Sequence, residues 1–444
     1  MQEFYDVREL NGYTTVIAYD NGEIDEVSTH FLAGAAARAL AGGSYGFTTV
    51  DDTAKAGEAV DEALSLARRL NKLNPRPKIS LAPAPFAAKD VYRVKKNPAD
   101  RSLKEKQDFC KSIEAAMKAA DPKGLIKSTR VNYSETYAHT VNYGSDEHRV
   151  EFDLTRCGFS CTAVAGESGE LQVGRRSYFN VGGYEVFDQC DPAALAREAT
   201  EEAIKLLSAK PAPSGRFDVI LDQELAGVFI HEAVGHASEA DTVLEGDSCL
   251  EGKIGQKIGS PLVTVRDDPT LLHYGYYPYD SEGVPSHGTT IIEKGIMKAY
   301  LNSRETAAKL GGLPGNARAG GMAKPVVRMS NTFIDNGDMT KDEVFEGVTG
   351  IYLKGSRGGQ VNTGEGVFQF NAVMGYRIEN GRIGEAIRDV SLSGNTLKTL
   401  NNILRVGNDL KFNSGRCGKA GQGVPVGDGS PHILVKDAVV GGHA

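Results

Sequence analysis

The residues best suited to chemistry in this 444-residue chain are gathered in His231-Glu232-Ala233-Val234-Gly235-His236. Two imidazoles and a carboxylate within six residues make the donor set of a hydrolytic metal centre. The rings hold the ion, and the carboxylate handles the proton of an attacking water. The helical form of this set spaces its histidines four apart, so that both lie on one face. Here they are five apart. On a regular helix five residues turn through about 500°, which leaves the rings about 140° apart and unable to share one ion. The spacing therefore predicts a π-bulge that absorbs the extra residue, or a helix that ends near Gly235 and lets His236 swing inward. Gly235 eases either distortion. Without one, two histidines that merely pack or cap a helix would carry the same letters.

Two histidines leave such a centre one protein ligand short. Glu239, Asp241, Glu245 and Asp247 follow closely, and each offers a carboxylate. Cys417 is a distant alternative in Ser414-Gly415-Arg416-Cys417-Gly418-Lys419-Ala420-Gly421-Gln422-Gly423, a stretch glycine-rich enough to bring its backbone against a site. Its sulfur would bind as thiolate, whereas a lone cysteine away from metal is ordinarily a small buried hydrophobe. Spacing alone leaves these alternatives open. Cys157 and Cys161 read as structural. His273 and His287, beside Tyr274, Tyr276, Tyr277 and Tyr279, read as packing or surface groups, with substrate contact as the alternative.

The elements that must position these groups are legible in outline. Residues 13–19 form a β-type run that enters Asp20-Asn21-Gly22, a hairpin signal, and a second pair of short runs, 36–40 and 45–50, is joined by Gly42-Gly43. After Asp51 and Asp52, the spacing of Ala56, Val60, Ala63, Leu64 and Ala67 predicts an amphipathic helix. Residues 74–85 hold four prolines and read as a linker. A helix over about 102–119, strands to about Val181 and a helix over about 192–208 follow. Pro211, Pro213 and Gly215 mark a second boundary, after which the run Arg216-Phe217-Asp218-Val219-Ile220-Leu221 leads as a strand into the helix with the two histidines. The remainder alternates short strands with glycine-rich turns. The division expected is a segment 1–85 with hairpins and a helix, a central α/β segment 86–210, and a β-rich part 211–444. The fold class is α+β, with a smaller α/β N-terminal part and a β-rich C-terminal part carrying the catalytic groups.

Composition narrows the setting. With 50 Lys plus Arg against 58 Asp plus Glu, the formal charge is −8, which argues against a general nucleic-acid or anionic-membrane surface. The 52 glycines suit a fold rich in turns. No charged start followed by an apolar run marks a secretory signal, and no apolar stretch is long enough to span a bilayer. Six cysteines scattered over this length form no disulfide framework, so a reducing, cytoplasmic setting is expected.

Taken together, the motifs resemble the TldD/PmbA metalloprotease family. The histidine segment followed by Glu239 is similar to that family's active-site helix. Asp280-Ser281-Glu282-Gly283, Ile291-Ile292-Glu293-Lys294-Gly295, Gly358-Gly359-Gln360-Val361, Ile378-Glu379-Asn380-Gly381, Val406-Gly407-Asn408-Asp409-Leu410, Cys417-Gly418-Lys419, Gly421-Gln422 and Val424-Pro425-Val426-Gly427 match in kind and order. The resemblance implies Zn2+ held by His231, His236 and Cys417, with Glu232 as catalytic acid/base acting on zinc-activated water. It implies a buried zinc site enclosed by the β-rich part, and a homodimer or a heterodimer with a TldE/PmbA-type subunit. It also implies flexible or unfolded peptides as substrates. An extended peptide could add to a strand edge of the glycine-rich block, with Gly358, Gly359 and Gly366 as places of close approach or as ordinary hairpin turns. Two rival functions share these letters: a zinc hydrolase of non-peptide amides, and a regulatory or binding protein with structural zinc. A fourth protein ligand would favour the latter, and an open position hydrolysis.

Overall fold

The computed structural model describes residues 3–83 and 89–442, so Pro85 and the expected boundary at 85/86 lie outside the described residues. The N-terminal half runs β1 (Glu3–Asp20), β2 (Glu23–Ala41), β3 (Ser44–Val50), α1 (Ala56–Leu73), α2 (Leu103–Ala119), β4 (Ile126–Gly144), β5 (Arg149–Glu167), β6 (Glu170–Val181) and α3 (Pro192–Leu207). Its six strands form one antiparallel sheet in the order β3-β2-β1-β4-β5-β6. The Asn21-Gly22 turn joins β1 to β2 with both residues in the left-handed region that such a hairpin demands. Ser102 starts α2 with a reciprocal capping box to Glu105.

Strand alternation decides which face does what. Odd-numbered residues such as Val7, Ala37, Tyr133, Cys157 and Phe159 are buried beneath the three helices. Even-numbered ones, among them Asp6, Arg8, Arg38 and Arg156, point the other way, toward the C-terminal part. The short runs expected in the first segment are in fact strands of 18 and 19 residues, β1 and β2, and β4 and β5 are also 19 long. The cause is pairing that continues past the buried stretch. Residues 23–27 and 29–33 of β2 are exposed, so their side chains carry no alternation for a sequence reading to find.

The C-terminal part continues with β7 (Lys210–Pro211), β8 (Gly215–Leu221), α4 (Gln223–Ile230), α5 (Ala240–Leu244), β9 (Val265–Asp267), β10 (Thr289–Glu293), β11 (Ile296–Met297), α6 (Arg304–Leu310), β12 (Ala317–Arg318), β13 (Val326–Val327) and β14 (Asn331–Ile334). It ends with α7 (Lys341–Phe345), β15 (Gly350–Asn362), β16 (Val367–Glu379), β17 (Arg382–Arg388), β18 (Val390–Asn395), α8 (Thr396–Asn401), β19 (Ile403–Val406), β20 (Lys411–Lys419), β21 (Gln422–Ser430) and β22 (Ile433–Gly442). The strands β15-β8-β22-β18-β16 close into a barrel through the β15–β16 hairpin. A second sheet runs β11-β10-β9-β14-β21-β20, which leaves β20 at an edge. Between barrel and sheet lies α4, whose Leu225, Ala226, Phe229 and Ile230 are fully buried in the largest core. The molecule is thus mixed α/β and β-rich, with a barrel in its C-terminal part. Among the described residues no helix is long and apolar enough to cross a membrane.

Candidate metal centre

The helix α4 begins where Asp222 accepts a hydrogen bond from the Leu225 N–H, and it runs regularly to Ile230. At His231 the ladder changes. The His236 N–H donates to the His231 carbonyl, an i to i+5 bond, and residues 231–235 form a single π-helical turn. A short 3₁₀ turn follows over His236–Ser238, and Glu239 is extended. The extra residue is absorbed by the π turn, and the helix ends directly after it, so both expected distortions occur together. Side chains take up the carbonyls that the change of ladder leaves: Ser238 Oγ donates to Gly235 O, and Ser248 Oγ to Ala237 O. Gly235 serves in a way the sequence did not suggest. Its backbone is right-handed, at φ −56° and ψ −60°, so freedom of rotation is not what is needed. A Cβ there would stand 1.9 Å from Met329 Sδ, so the glycine leaves the space that the buried methionine side chain fills.

The result is that His231 and His236 face each other, ring centroids 5.3 Å apart and planes at 86°. Cys417, near the end of β20, completes the group, and one donor atom from each of the three lies within 4.8 Å of the others. Cys417 Sγ is 3.2 Å from His236 Nε2. Tetrahedral zinc bonds of about 2.3 Å to sulfur and about 2.0 Å to nitrogen set such a pair about 3.5 Å apart, so the spacing suits a shared ion. His231 Nδ1 is buried with no hydrogen-bond partner, an orphaned donor or acceptor that a polar core ordinarily does not tolerate. Burial alone would raise the Cys417 thiol, but hydrogen bonds with both histidines hold it down to about 5, so it is a thiolate at neutral pH. Two imidazoles and a thiolate are the donor chemistry of zinc.

Supporting groups fix the orientation. His236 Nδ1 is 3.1 Å from Glu239 Oε2, which turns Nε2 toward the sulfur. Glu239 is fully buried; against the cost of burial, the His236 and Lys419 charges hold its carboxyl below the usual range. Lys419, two residues beyond Cys417, reaches Glu239 at 3.0 Å and Asp241 at 2.7 Å, tying the cysteine strand to the histidine segment. Arg328, wholly buried, donates to the carbonyls of Cys417 and Gln422 and clamps the β20–β21 hairpin. Asp428 of β21 packs against α4 where Gly227 lacks a side chain, and burial pushes its carboxyl up to about 6 with His231 pulling the other way.

Of the four nearby acids, Glu239 and Asp241 bind Lys419, while Glu245 and Asp247 lie exposed beyond α5. Glu232 is partly exposed, its Oε2 3.9 Å from His236 Nε2 at the mouth of the group. Gly358, Gly359 and Gly366 sit in the β15–β16 hairpin, Gly359 at its register shift against Phe370 and Gly366 at its turn against Cys249. His273 stacks on Phe412 at 3.9 Å, and His287 faces the Pro314 carbonyl at 3.0 Å, both packing roles. Lys419, Arg328 and Asp428 were missed by sequence reasoning as parts of the centre. The only signal for Lys419 was its place beside Cys417.

Comparison with known proteins agrees with this architecture. Models of the PmbA/TldA metallopeptidase family match residues 5–70 as domain 1, 96–207 as the central domain and 214–442 as the C-terminal domain. A metalloprotease of Methanothermobacter thermautotrophicus is 43% identical over 99% of this chain and 96% of its own. A zinc metalloprotease TldD homologue of Saccharolobus solfataricus is 36% identical over 72% of each chain. Among solved structures, TldE from Thermococcus kodakarensis superposes with a TM-score of 0.79 at 18% identity, covering 99% of this chain and 97% of that one, a likeness of fold. A Thermotoga maritima protein described as a candidate modulator of a DNA gyrase does so with a TM-score of 0.80 at 23% identity, covering 99% and 96%. The chain belongs to the PmbA/TldD family of metallopeptidases.

Proposed function

We propose that this protein is a zinc-dependent peptidase in which His231, His236 and Cys417 hold the metal and Glu232 is the acid/base. The observation that carries the reading is the convergence of three donor atoms within 4.8 Å, with the Glu232 carboxylate beside them. Bound zinc supplies Lewis acidity to a substrate carbonyl and makes neighbouring water a better nucleophile. Glu232 takes the proton of that water and passes it to the leaving amine, and its partial exposure leaves it within reach of both. Glu239 keeps the His236 ring turned to the metal, and Lys419 holds Glu239 in place. Among the described residues no fourth His, Cys, Asp or Glu joins the group, which favours hydrolysis over a purely structural zinc.

The substrates are extended or unstructured peptides. Cys417 lies in β20, the edge strand of its sheet, and an edge offers main-chain donors and acceptors to an extended chain with little demand on its sequence. Close peptide approach at Gly358, Gly359 and Gly366 is the weaker part of this reading, because Gly359 and Gly366 already have packing reasons to be glycine. The working unit is a dimer, either of two such chains or with a TldE-type subunit. Its setting is the cytoplasm, in keeping with six free cysteines. Zinc analysis combined with cleavage of an unstructured peptide library tests the core of the reading. Wild type should carry about one zinc per chain and cleave. Glu232→Gln should keep the zinc and lose about 10²–10⁴ in kcat, and Cys417→Ala should lose zinc. A Glu232→Gln protein that cleaves at the wild-type rate overturns the assignment, and rapid cleavage of a stably folded domain counts against the substrate class.

A further inference from the structure

The face of the N-terminal sheet that carries the even-numbered residues meets the C-terminal part around a cavity of about 360 Å3. Four guanidiniums line it: Arg8 from β1, Arg156 from β5, Arg318 from β12 and Arg416 from β20. Their hydrogen bonds run to main-chain carbonyls. Arg8 donates to Gly321 and Ala323 at 2.8 and 2.9 Å, and Arg156 to Tyr274 and Tyr276 at 3.0 and 2.6 Å. Arg318 donates to Met329 and Pro425 at 2.5 and 2.7 Å, and Arg416 to Gly423 at 3.3 Å. Among the described residues none of the four forms an ion pair with a carboxylate. Asp280, the acidic residue of the lining, turns its oxygens to the N–H groups of Glu282, Val284 and Ala317. Its carboxyl is pushed well above the usual range by burial and by Glu282. Burial, together with Arg318 and Arg416, depresses Arg156 to about 10. Asp6 acts on Arg8 and Asp267 on Arg318 from beyond ion-pair distance, but positive charges gathered in a half-dry cavity with no carboxylate paired to any of them still draw in an anion. Tyr137, Phe152 and Tyr274 give the same cavity apolar walls.

The cavity is placed for a peptide. Along the β20–β21 hairpin Arg416 pairs with Pro425, and Cys417 pairs with Val424. Neighbouring residues of a strand face opposite ways, so the Arg416 and Cys417 side chains leave the edge hairpin on opposite faces one residue apart, while Val424, opposite Cys417, also reaches the cavity. An extended chain lying along that edge offers its side chains alternately to the two faces. We propose that the cavity binds a carboxylate of the peptide substrate, from an acidic side chain or from the chain's own C-terminus, close to the bond that is cleaved. This rests on the peptidase reading above and adds the substrate class: peptides with negative charge beside the scissile position.

The test is calorimetric binding to the zinc-loaded Glu232→Gln protein, which separates recognition from cleavage. The probes are four forms of one unstructured peptide, with Glu or Gln at a central position and a free or amidated C-terminus. A carboxylate-bearing form should bind at least about tenfold more tightly than the neutral form, and which form does so identifies the source of the carboxylate. Arg156→Gln and Arg416→Gln should each reduce that preference several-fold, and raising the salt should shrink it. Arg416 is exposed, so its replacement leaves the core intact. Equal affinity for all four peptides, or a preference that survives both substitutions, overturns the proposal. If the preference holds while the wild type cleaves none of the peptides, the peptidase reading fails and the carboxylate site stands. Equal binding with cleavage of all four leaves the peptidase and removes the site.

Discussion

Gly235 shows how closely single residues are constrained around the donor cluster. Because Met329 Sδ occupies the position of its missing Cβ, Gly235→Ala should destabilise the protein by about 1–3 kcal/mol through overpacking and displace His236. Trimming the opposing side chain in Gly235→Ala/Met329→Ala should recover part of the zinc affinity, as measured by competition with a chelator. If the double variant is no better than the single one, steric exclusion is not why glycine stands there. Lys419→Met removes the bridge between Glu239 and the cysteine strand, and it should weaken zinc binding about 10–100-fold in the same assay. An unchanged affinity would make Lys419 a surface anchor only. At this scale the sequence was informative where chemistry is local. The histidines and Glu232 stand together in one motif, and Cys417 was reached through the family resemblance. Arg328 and Asp428 lie far from His231 in sequence, and nothing in an arginine or aspartate amid apolar neighbours announces which backbone or helix it will meet.

For α4, five-residue spacing excluded a regular helix under both rings and left a π-bulge or an early helix end as alternatives, and the structure has both. The same element carries a pH-dependent liability. Glu224, in its first turn, is only partly exposed; burial first and the Asp222 charge second push its carboxyl from 4.5 up to about 7. The folded protein therefore retains this proton between about pH 4.5 and 7 while the unfolded chain releases it, and stability falls as pH rises through that window. The full difference is roughly 3 kcal/mol. Glu224→Gln keeps an oxygen that can accept from the Ser356 N–H and removes the ionisation. Its unfolding free energy should exceed that of wild type at pH 8 and match it near pH 4.5. A constant difference at all pH values would show that Glu224 does not titrate in this way. The hairpins, α1 to α3 and β8 were legible because caps, turn residues and periodicity lie within each. The length of β1 and β2 was not, because the first half of β2 is exposed and the middle of β1 only half-buried, so neither carries a buried alternation there.

The whole molecule depends on contacts that no local pattern records. The β1–β4 pairing joins strands more than a hundred residues apart, and the barrel depends on equally distant pairings of β8 with β15 and β22. Across the junction of the two halves, buried Arg38 reaches Asp6 within its own sheet and Glu282 in the C-terminal part at 2.8 Å. Arg38→Met leaves two carboxylates buried without their cation and should cost about 3–5 kcal/mol, read from denaturant unfolding. A loss under about 1 kcal/mol would mean that the junction is held by other contacts. A β-rich C-terminal part was expected from glycine and turn content, but the closed barrel and the edge position of β20 follow from which strands find each other.

The central claim, zinc on His231, His236 and Cys417, is tested most directly by zinc-edge X-ray absorption of the metal-loaded protein. The account predicts one sulfur at about 2.3 Å with nitrogen or oxygen neighbours at about 2.0 Å, and loss of the sulfur in Cys417→Ala. A zinc shell without sulfur in the wild type, or a spectrum unchanged by Cys417→Ala, would contradict it.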